Sequence, residues 1–310
     1  GPAIGPLPHG ARRRKIKKNP SRRGDRIRTN YHTHTSRCLH AEGTDEAYVR
    51  SAIAGGFSVL GFSDHSPWPY QDGYESGIRM PLSQLPDYVR SVRALSGQYA
   101  GKLDVRLGLE AEYYPEYAGW LKDACWEHGV SFLLFGNHFD NPGEEGYFGY
   151  ASAVSDLRRY VARAEMGLAS GLFDCLAHPD LFMQGYARFD DDCRAAAKDV
   201  CAAARACGVP LEFNLSGFYN TWRRGAGYPA PAFWQIAARE GVSAVVGLDA
   251  HKPERLTECE IFDLAVQHLD ALGIPRVELL PAQAPRPAFA ASSPRGRQTG
   301  ENRDSKEASA

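Results

Sequence analysis

Seven times along the chain a short apolar run rich in β-formers is followed by a polar loop and then by an amphipathic helical stretch, and this order leaves few folds open. The runs span residues 26–31, 57–62, 103–109, 131–135, 173–177, 210–213 and 243–248. The helical stretches between them carry start and face signals. Thr44 stands before DEAYVRSAIAGG with acids in its first turn, Ser83 stands before QLPDYVRSVRALSGQYA, and further stretches cover 115–128, 155–169, 190–207, 230–240 and 257–271. Strands separated by helices pair in parallel through right-handed crossovers. Seven such units within about 250 residues point to an α/β protein with a closed or nearly closed barrel rather than two domains. A doubly wound open sheet is the runner-up, and periodicity alone does not separate the two.

The flanks differ in character. Residues 11–28 carry ten Lys or Arg against a single Asp, hidden within a formal net charge of -1. A short basic arm without interleaved aromatics reads as a disordered leader, residues 1–25, rather than as a nucleic-acid grip. Residues 285–310 are rich in Pro, Ser, Ala and charge with no apolar period and read as a disordered tail, which leaves 26–284 as the folded unit. No run approaches the ~18 apolar residues of a membrane span and no apolar signal region is visible, so a soluble, cytoplasmic protein without a membrane or nucleic-acid partner is expected. Seven cysteines, odd in number and without a CxxC, fit free thiols better than disulfides. The oligomeric state is not written in the sequence.

In a parallel βα barrel the loops at the C-terminal ends of the strands open onto one face, so residues distant in sequence converge there. The first run leads into NYHTHTSRCLHAEGT, with His32, His34 and His40 within nine residues. Imidazole is the commonest metal ligand, and if this cluster binds metal, further ligands belong after the other strands. They are present: Asp64 and His65 in FSDHSPW, Glu110 in RLGLEAEYY, His138 in FGNHFD, His178 in CLAHPD, and Asp249 and His251 in GLDAHKP. The sixth strand offers Asn214 in LEFNLSG instead. A lone His or Asp after a strand is commonly structural or a helix cap, but that explanation would have to hold independently at six strand ends. His9, His128 and His268 lie in the tail or in helical patterns and are left aside.

Seven imidazoles and two carboxylates, Glu110 and Asp249, are too many for one ion of four to six ligands, so two or three divalent transition metals are expected, with Glu110 as the candidate bridge. Imidazole mixed with carboxylate suits Zn, Mn or Fe rather than Mg or Ca. Such clusters favour hydrolysis of phosphate esters, whose transition state carries charge that cations stabilise. Amide hydrolysis in a metal amidohydrolase barrel is the competitor. That class also opens with HxH and ends with an Asp, but it typically recruits a carboxylated Lys or a Glu on strand four.

Taken in order, HTHTSRCLHAEGT, GFSDHSPW, GLEAEYYPEY, FGNHFD, CLAHPDLF, LEFNLSG and GLDAHKPE resemble the polymerase and histidinol phosphatase (PHP) superfamily, in its histidinol-phosphate phosphatase branch, over about residues 28–275. The resemblance implies a distorted seven-stranded (β/α)7 barrel, a trinuclear metal site, and hydrolysis of L-histidinol phosphate to L-histidinol and phosphate by a metal-bridging hydroxide. It implies His32, His34, Glu110 and Asp249 on one metal, Glu110, His138 and His178 on a second, and His40, His65 and His251 on the third. The alternative within the family is a phosphoesterase for nucleotides or another small phosphate ester. Asn137 and Leu248 stand where that branch usually has a small hydroxyl, and the first Arg after strand six is delayed to Arg223, which bears on substrate identity. For the substrate phosphate, Arg79 in the long loop after strand two is the first candidate, then Arg223 and Arg224, with Asn214 nearby; Asp64 or a metal-bound water is expected to protonate the leaving group.

Overall fold

A computed structural model describes residues 27–71, 73–218 and 227–281. The leader 1–25, the tail 285–310, Arg223 and Arg224 lie outside the described residues. Seven parallel strands follow one another in sequence order: β1 Thr29–Asn30, β2 Val59–Phe62, β3 Asp104–Ala111, β4 Phe132–Phe135, β5 Cys175–Leu176, β6 Leu211–Asn214 and β7 Ala244–Gly247. Around them lie α1 Asp45–Ala54, α2 Leu85–Gln98, α3 Ala118–Glu127, α4 Val154–Ala169, α5 Asp191–Cys207, α6 Pro231–Glu240 and α7 Cys259–Leu272. A doubly wound sheet would reverse its order near the middle; here it does not.

The ends of the sheet meet. Thr33 bridges Ala250 in parallel, His34 N donates to Ala250 O (3.0 Å), and Ala250 N donates to His32 O (3.1 Å). Lower in the same seam the buried Asn30 side chain accepts from Leu248 N (2.8 Å). The result is a nearly closed, distorted (β/α)7 barrel, and the seam places the first and last ligand segments side by side.

The interior near the strand starts is filled by side chains. Phe132, at the start of β4, packs edge-on against Tyr31 (5.2 Å between centroids) within a cluster that includes Val59, Leu134 and Val245. It fits because position 108 is glycine: a Cβ there would stand 2.2 Å from Phe132 Cζ. With that end plugged, the cavity can open only at the C-terminal ends of the strands.

The helix starts follow the sequence unevenly. Thr44 caps α1 through its hydroxyl, which accepts from Ala47 N (3.2 Å). Ser83 does not cap α2: a 3-10 turn, Leu82–Gln84, precedes it, and Gln84 makes no side-chain cap. Strands β1 and β5 are shorter than their apolar runs, because only two residues of each enter the ladder.

Candidate metal centre

Every metal-ligand candidate named from the sequence reaches the rim formed by the C-terminal strand ends. Glu110 lies on β3, 1% exposed, and its two carboxylate oxygens face different imidazoles. Oε2 lies 3.3 Å from His32 Nε2, 3.5 Å from His34 Nε2 and 3.0 Å from His65 Nδ1. Oε1 lies 3.0 Å from His178 Nε2 and 3.3 Å from His138 Nε2.

Asp249 Oδ1 completes the first group, 3.5 Å from His32 Nε2 and 3.3 Å from His34 Nε2, while the two imidazole nitrogens stand 3.1 Å apart. Metal–ligand bonds of about 2.0–2.1 Å at tetrahedral angles set neighbouring donors about 3.3 Å apart. Donor atoms of His32, His34 and Glu110 gather within 4.8 Å of one another and fit one cation, with Asp249 Oδ1 beside the two imidazoles. The buried atoms Glu110 Oε2 and His65 Nδ1 stand 3.0 Å apart without hydrogen-bond geometry and have no other hydrogen-bond partner among the described residues, which for native proteins calls for an explanation such as an ion.

The third expected group is looser. His40 Nε2 and His251 Nε2 are 3.0 Å apart at the exposed edge, and the His40 and His65 rings are 5.5 Å apart. The triads that gather within 4.8 Å pair His65 either with His34 and His251 or with Glu110 and His138, and His40 with Cys38 and His251. His65 thus stands between groups rather than with His40 and His251 alone.

Two ligand positions sit in strained backbone: His178 has φ 28° and Asp249 φ 47°. Non-glycine residues adopt such angles where the surroundings over-determine them, commonly at functional sites.

Carboxylates that the sequence reading did not select hold the imidazoles from behind. Glu212 on β6 is 2% exposed; its Oε1 lies 2.8 Å from His32 Nδ1, and its Oε2 accepts from His178 N (3.1 Å) and Asn214 Nδ2 (2.9 Å). Glycine at 247 admits it, since a Cβ there would stand 1.7 Å from Glu212 Oε1. Glu112, directly after β3, accepts from His138 Nδ1 (3.0 Å). Carboxylates in this position fix ring orientation and raise ligand basicity. Both were legible in principle: Glu212 is a charge inside the buried strand LEFN, and Glu112 lies two residues after Glu110, where the two-residue period of an extended chain leaving β3 carries it to the same side. Glu212→Gln is expected to weaken binding of the first cation about 10- to 100-fold, read by competition with a chelating dye, with the far-ultraviolet spectrum unchanged.

Electrostatics follow from the packing. Burial alone would lower the pKa of His32, but Glu212, Glu110 and Asp249 raise it well above 6.5. Against the same burial, Asp249, Asp64 and Glu110 raise His34 to about 9, and Glu110 and Glu112 raise His138 to about 10. His251 moves oppositely, to about 3, through burial and the nearby His34. Burial would raise Glu110, but His138, His32 and His65 hold it well below the usual carboxylate range. In metal-free protein at neutral pH, His34 and His138 therefore carry protons that an arriving cation displaces.

Three expected roles need correction. Arg79 does not line the cavity: it is 1% exposed, its Nε donates to Glu144 (2.8 Å), and Nη1 and Nη2 donate to the two oxygens of Glu112 (3.1 and 3.0 Å). Its charge is consumed in joining the β2 and β4 loops to β3. Asp64 is fully buried, accepting from Thr35 Oγ1 and His65 N and standing 3.4 Å from His34 Nδ1, so it positions His34 and does not meet the cavity. Asn214 is likewise buried, spending its amide on Glu212 and Asp249 (3.3 Å) and its oxygen on Ser216 N and Gly217 N.

A cavity of about 650 Å³ opens over the cluster. Phe139, Tyr147, Tyr150 and Tyr228 form much of its apolar wall, with Glu144 also at the lining. A parallel barrel with buried imidazoles and carboxylates converging above its strand ends is the build of a metal-dependent hydrolase.

The chain belongs to the PHP domain family, whose model matches residues 30–216. A protein of Deinococcus radiodurans named "Probable histidinol-phosphatase" is 36% identical, with 72% of this chain and 85% of that protein covered. The "Histidinol-phosphatase" of Bacillus subtilis is 30% identical over 71% of this chain and 92% of its own. Among solved structures, the histidinol phosphate phosphatase of Lactococcus lactis, complexed with zinc, L-histidinol and phosphate, shares the fold at a TM-score of 0.64. It is 18% identical and covers 82% of this chain and 97% of that one.

Proposed function

We propose that this chain is a metal-dependent phosphomonoesterase that hydrolyses L-histidinol phosphate to L-histidinol and phosphate. The observation that carries the reading is the placement of Glu110, each of whose oxygens faces its own set of imidazoles. The names of the Deinococcus and Bacillus relatives support the substrate. We assign His32, His34, Glu110 and Asp249 to one cation, Glu110, His138 and His178 to a second, and His40, His65 and His251 to a third, the ions being Zn, Fe or Mn. Bound there, such ions supply hydroxide near neutral pH and offset the charge that develops on the phosphoryl group.

The chain's own residues do the rest. Glu212, Asp64 and Glu112 each face the Nδ1 of a different imidazole (His32, His34 and His138), leaving the Nε2 atoms turned toward Glu110. Asn214 ties Glu212 to Asp249 and so couples the first group to the β6 loop. The aromatic wall at Phe139, Tyr147 and Tyr228 suits a flat heterocycle such as imidazole.

A panel of phosphate monoesters assayed with added Mn, Zn or Fe tests the reading. L-histidinol phosphate is expected to give the highest kcat/KM. Equal or faster turnover of nucleoside monophosphates would overturn the substrate assignment and favour a nucleotide phosphoesterase.

A further inference from the structure

A phosphomonoester carries nearly two negative charges, and a cavity that receives it calls for mobile cations at its mouth as well as metals at its floor. Arg79 cannot serve, locked between Glu112 and Glu144. Among the described residues that line the cavity, the cationic side chains other than histidine are Lys252 and Arg255. Both stand on the loop that leaves β7, directly after His251. Lys252 stands in extended backbone immediately before a 3-10 helix, Pro253–Thr257, and Arg255 lies within that helix. Both side chains line the cavity from this one segment. Pro253 and Leu256 are buried and seat the helix on the barrel, while Glu42 N donates to His251 O (2.9 Å) and holds the loop against β1.

Both cations make ion pairs near the surface. Lys252 Nζ pairs with Glu42 Oε1 at 2.8 Å with both side chains more than half exposed, and Arg255 Nη1 stands 3.3 Å from Glu258 Oε2 with both about one-third exposed. Exposed pairs of this kind are weak, unlike the buried pairs of Arg79. The β4 loop offers a different character, an aromatic wall of Phe139, Tyr147 and Tyr150.

We propose that Lys252 and Arg255 form an anion-binding wall that takes the phosphate oxygens facing the β7 loop and so orients the substrate, its organic part lying across the aromatic β4 loop. The proposal rests on the phosphomonoesterase reading and names the specificity residues of that same site.

Calorimetric titration of the metal-loaded protein with inorganic phosphate, beside L-histidinol as a probe that lacks phosphate, tests it. Lys252→Ala and Arg255→Ala are each expected to weaken phosphate binding about tenfold, the order of one lost charge-assisted hydrogen bond. The double variant is expected to lose more, with a shallower salt dependence, whereas L-histidinol affinity stays within about twofold. Lys252→Arg and Arg255→Lys are expected to recover most of the loss. Unchanged phosphate affinity in the double variant, or an equal loss for L-histidinol, would overturn the wall. Phosphate release by the wild-type protein is measured alongside. If it releases none from any monoester, the hydrolase reading falls, while the phosphate titration still decides whether these two residues bind the anion.

Discussion

Replacing Glu110 with glutamine is expected to abolish hydrolysis while leaving the barrel folded. The carboxylate is the one group shared by the two clusters, with Oε2 facing His32, His34 and His65 and Oε1 facing His138 and His178. An amide keeps the shape but removes the negative charge and turns one of the two oxygens into a donor that repels a cation. Metal clusters stabilise transition-state charge by several kcal/mol. At about 1.4 kcal/mol per decade, kcat/KM should fall by roughly 10³ or more. Elemental analysis should show bound metal reduced in parallel. A Glu110→Gln protein that keeps both its metal and its turnover would remove Glu110 from the chemistry.

Glu112→Gln is expected to produce the largest loss of stability. Glu112 and Arg79 are both buried, joined through both carboxylate oxygens, and the same carboxylate accepts from His138 Nδ1 and, at 3.3 Å, from Trp68 Nε1. Breaking a buried pair by removing one partner costs about 3–5 kcal/mol, and the lower end is expected here, because Glu144 still pairs with Arg79 Nε while the two Nη atoms lose their carboxylate. In a domain of this size each kcal/mol moves Tm by about 2–4 °C, so a fall near 10 °C is expected in a thermal melt. The paired change Arg79→Met with Glu112→Leu should recover part of it, since the Arg79 and Glu112 charges leave together and Glu144 keeps the Tyr74 and Ser76 hydroxyls. An unaltered Tm in Glu112→Gln would show that the pair contributes nothing. The pH dependence has a definite sign. Burial would raise the Glu112 pKa, but Arg79 and His138 hold it well below its ordinary 4.5. Its contribution is therefore fully present above that value and is lost as pH falls further into the acid range.

The fold was legible because each strand run and each helix carried its own period, and seven repetitions left a ring as the economical arrangement. The convergence of the candidate ligands was legible for a related reason: βα loops of a parallel barrel share one face, so His138 after β4 and His251 after β7 line the same cavity. Roles that depend on depth were not. Arg79 sits in a loop rich in polar residues, and nothing in YESGIRMPLSQ announces that it is buried against two carboxylates. Asp64 follows a strand as a catalytic acid would, yet Thr35 and His65 N enclose it. Glu212 and Glu112 were passed over because a lone carboxylate in an apolar strand gains its meaning only from the imidazole across the barrel. Lys252, adjacent to a ligand motif, was read as part of that motif rather than as a group of its own.

The claim beneath all of these is that strand-end imidazoles and carboxylates gathered around Glu110 hold the cations that hydrolyse a phosphomonoester. It is tested most directly by stripping the purified protein of metal, returning Zn, Mn or Fe in steps, and recording bound metal per chain together with phosphate release from L-histidinol phosphate. Turnover should be absent from the stripped protein and rise with occupancy to a plateau at about two to three ions per chain. Full turnover by metal-free protein, or a chain that retains no ion at micromolar metal, would contradict it.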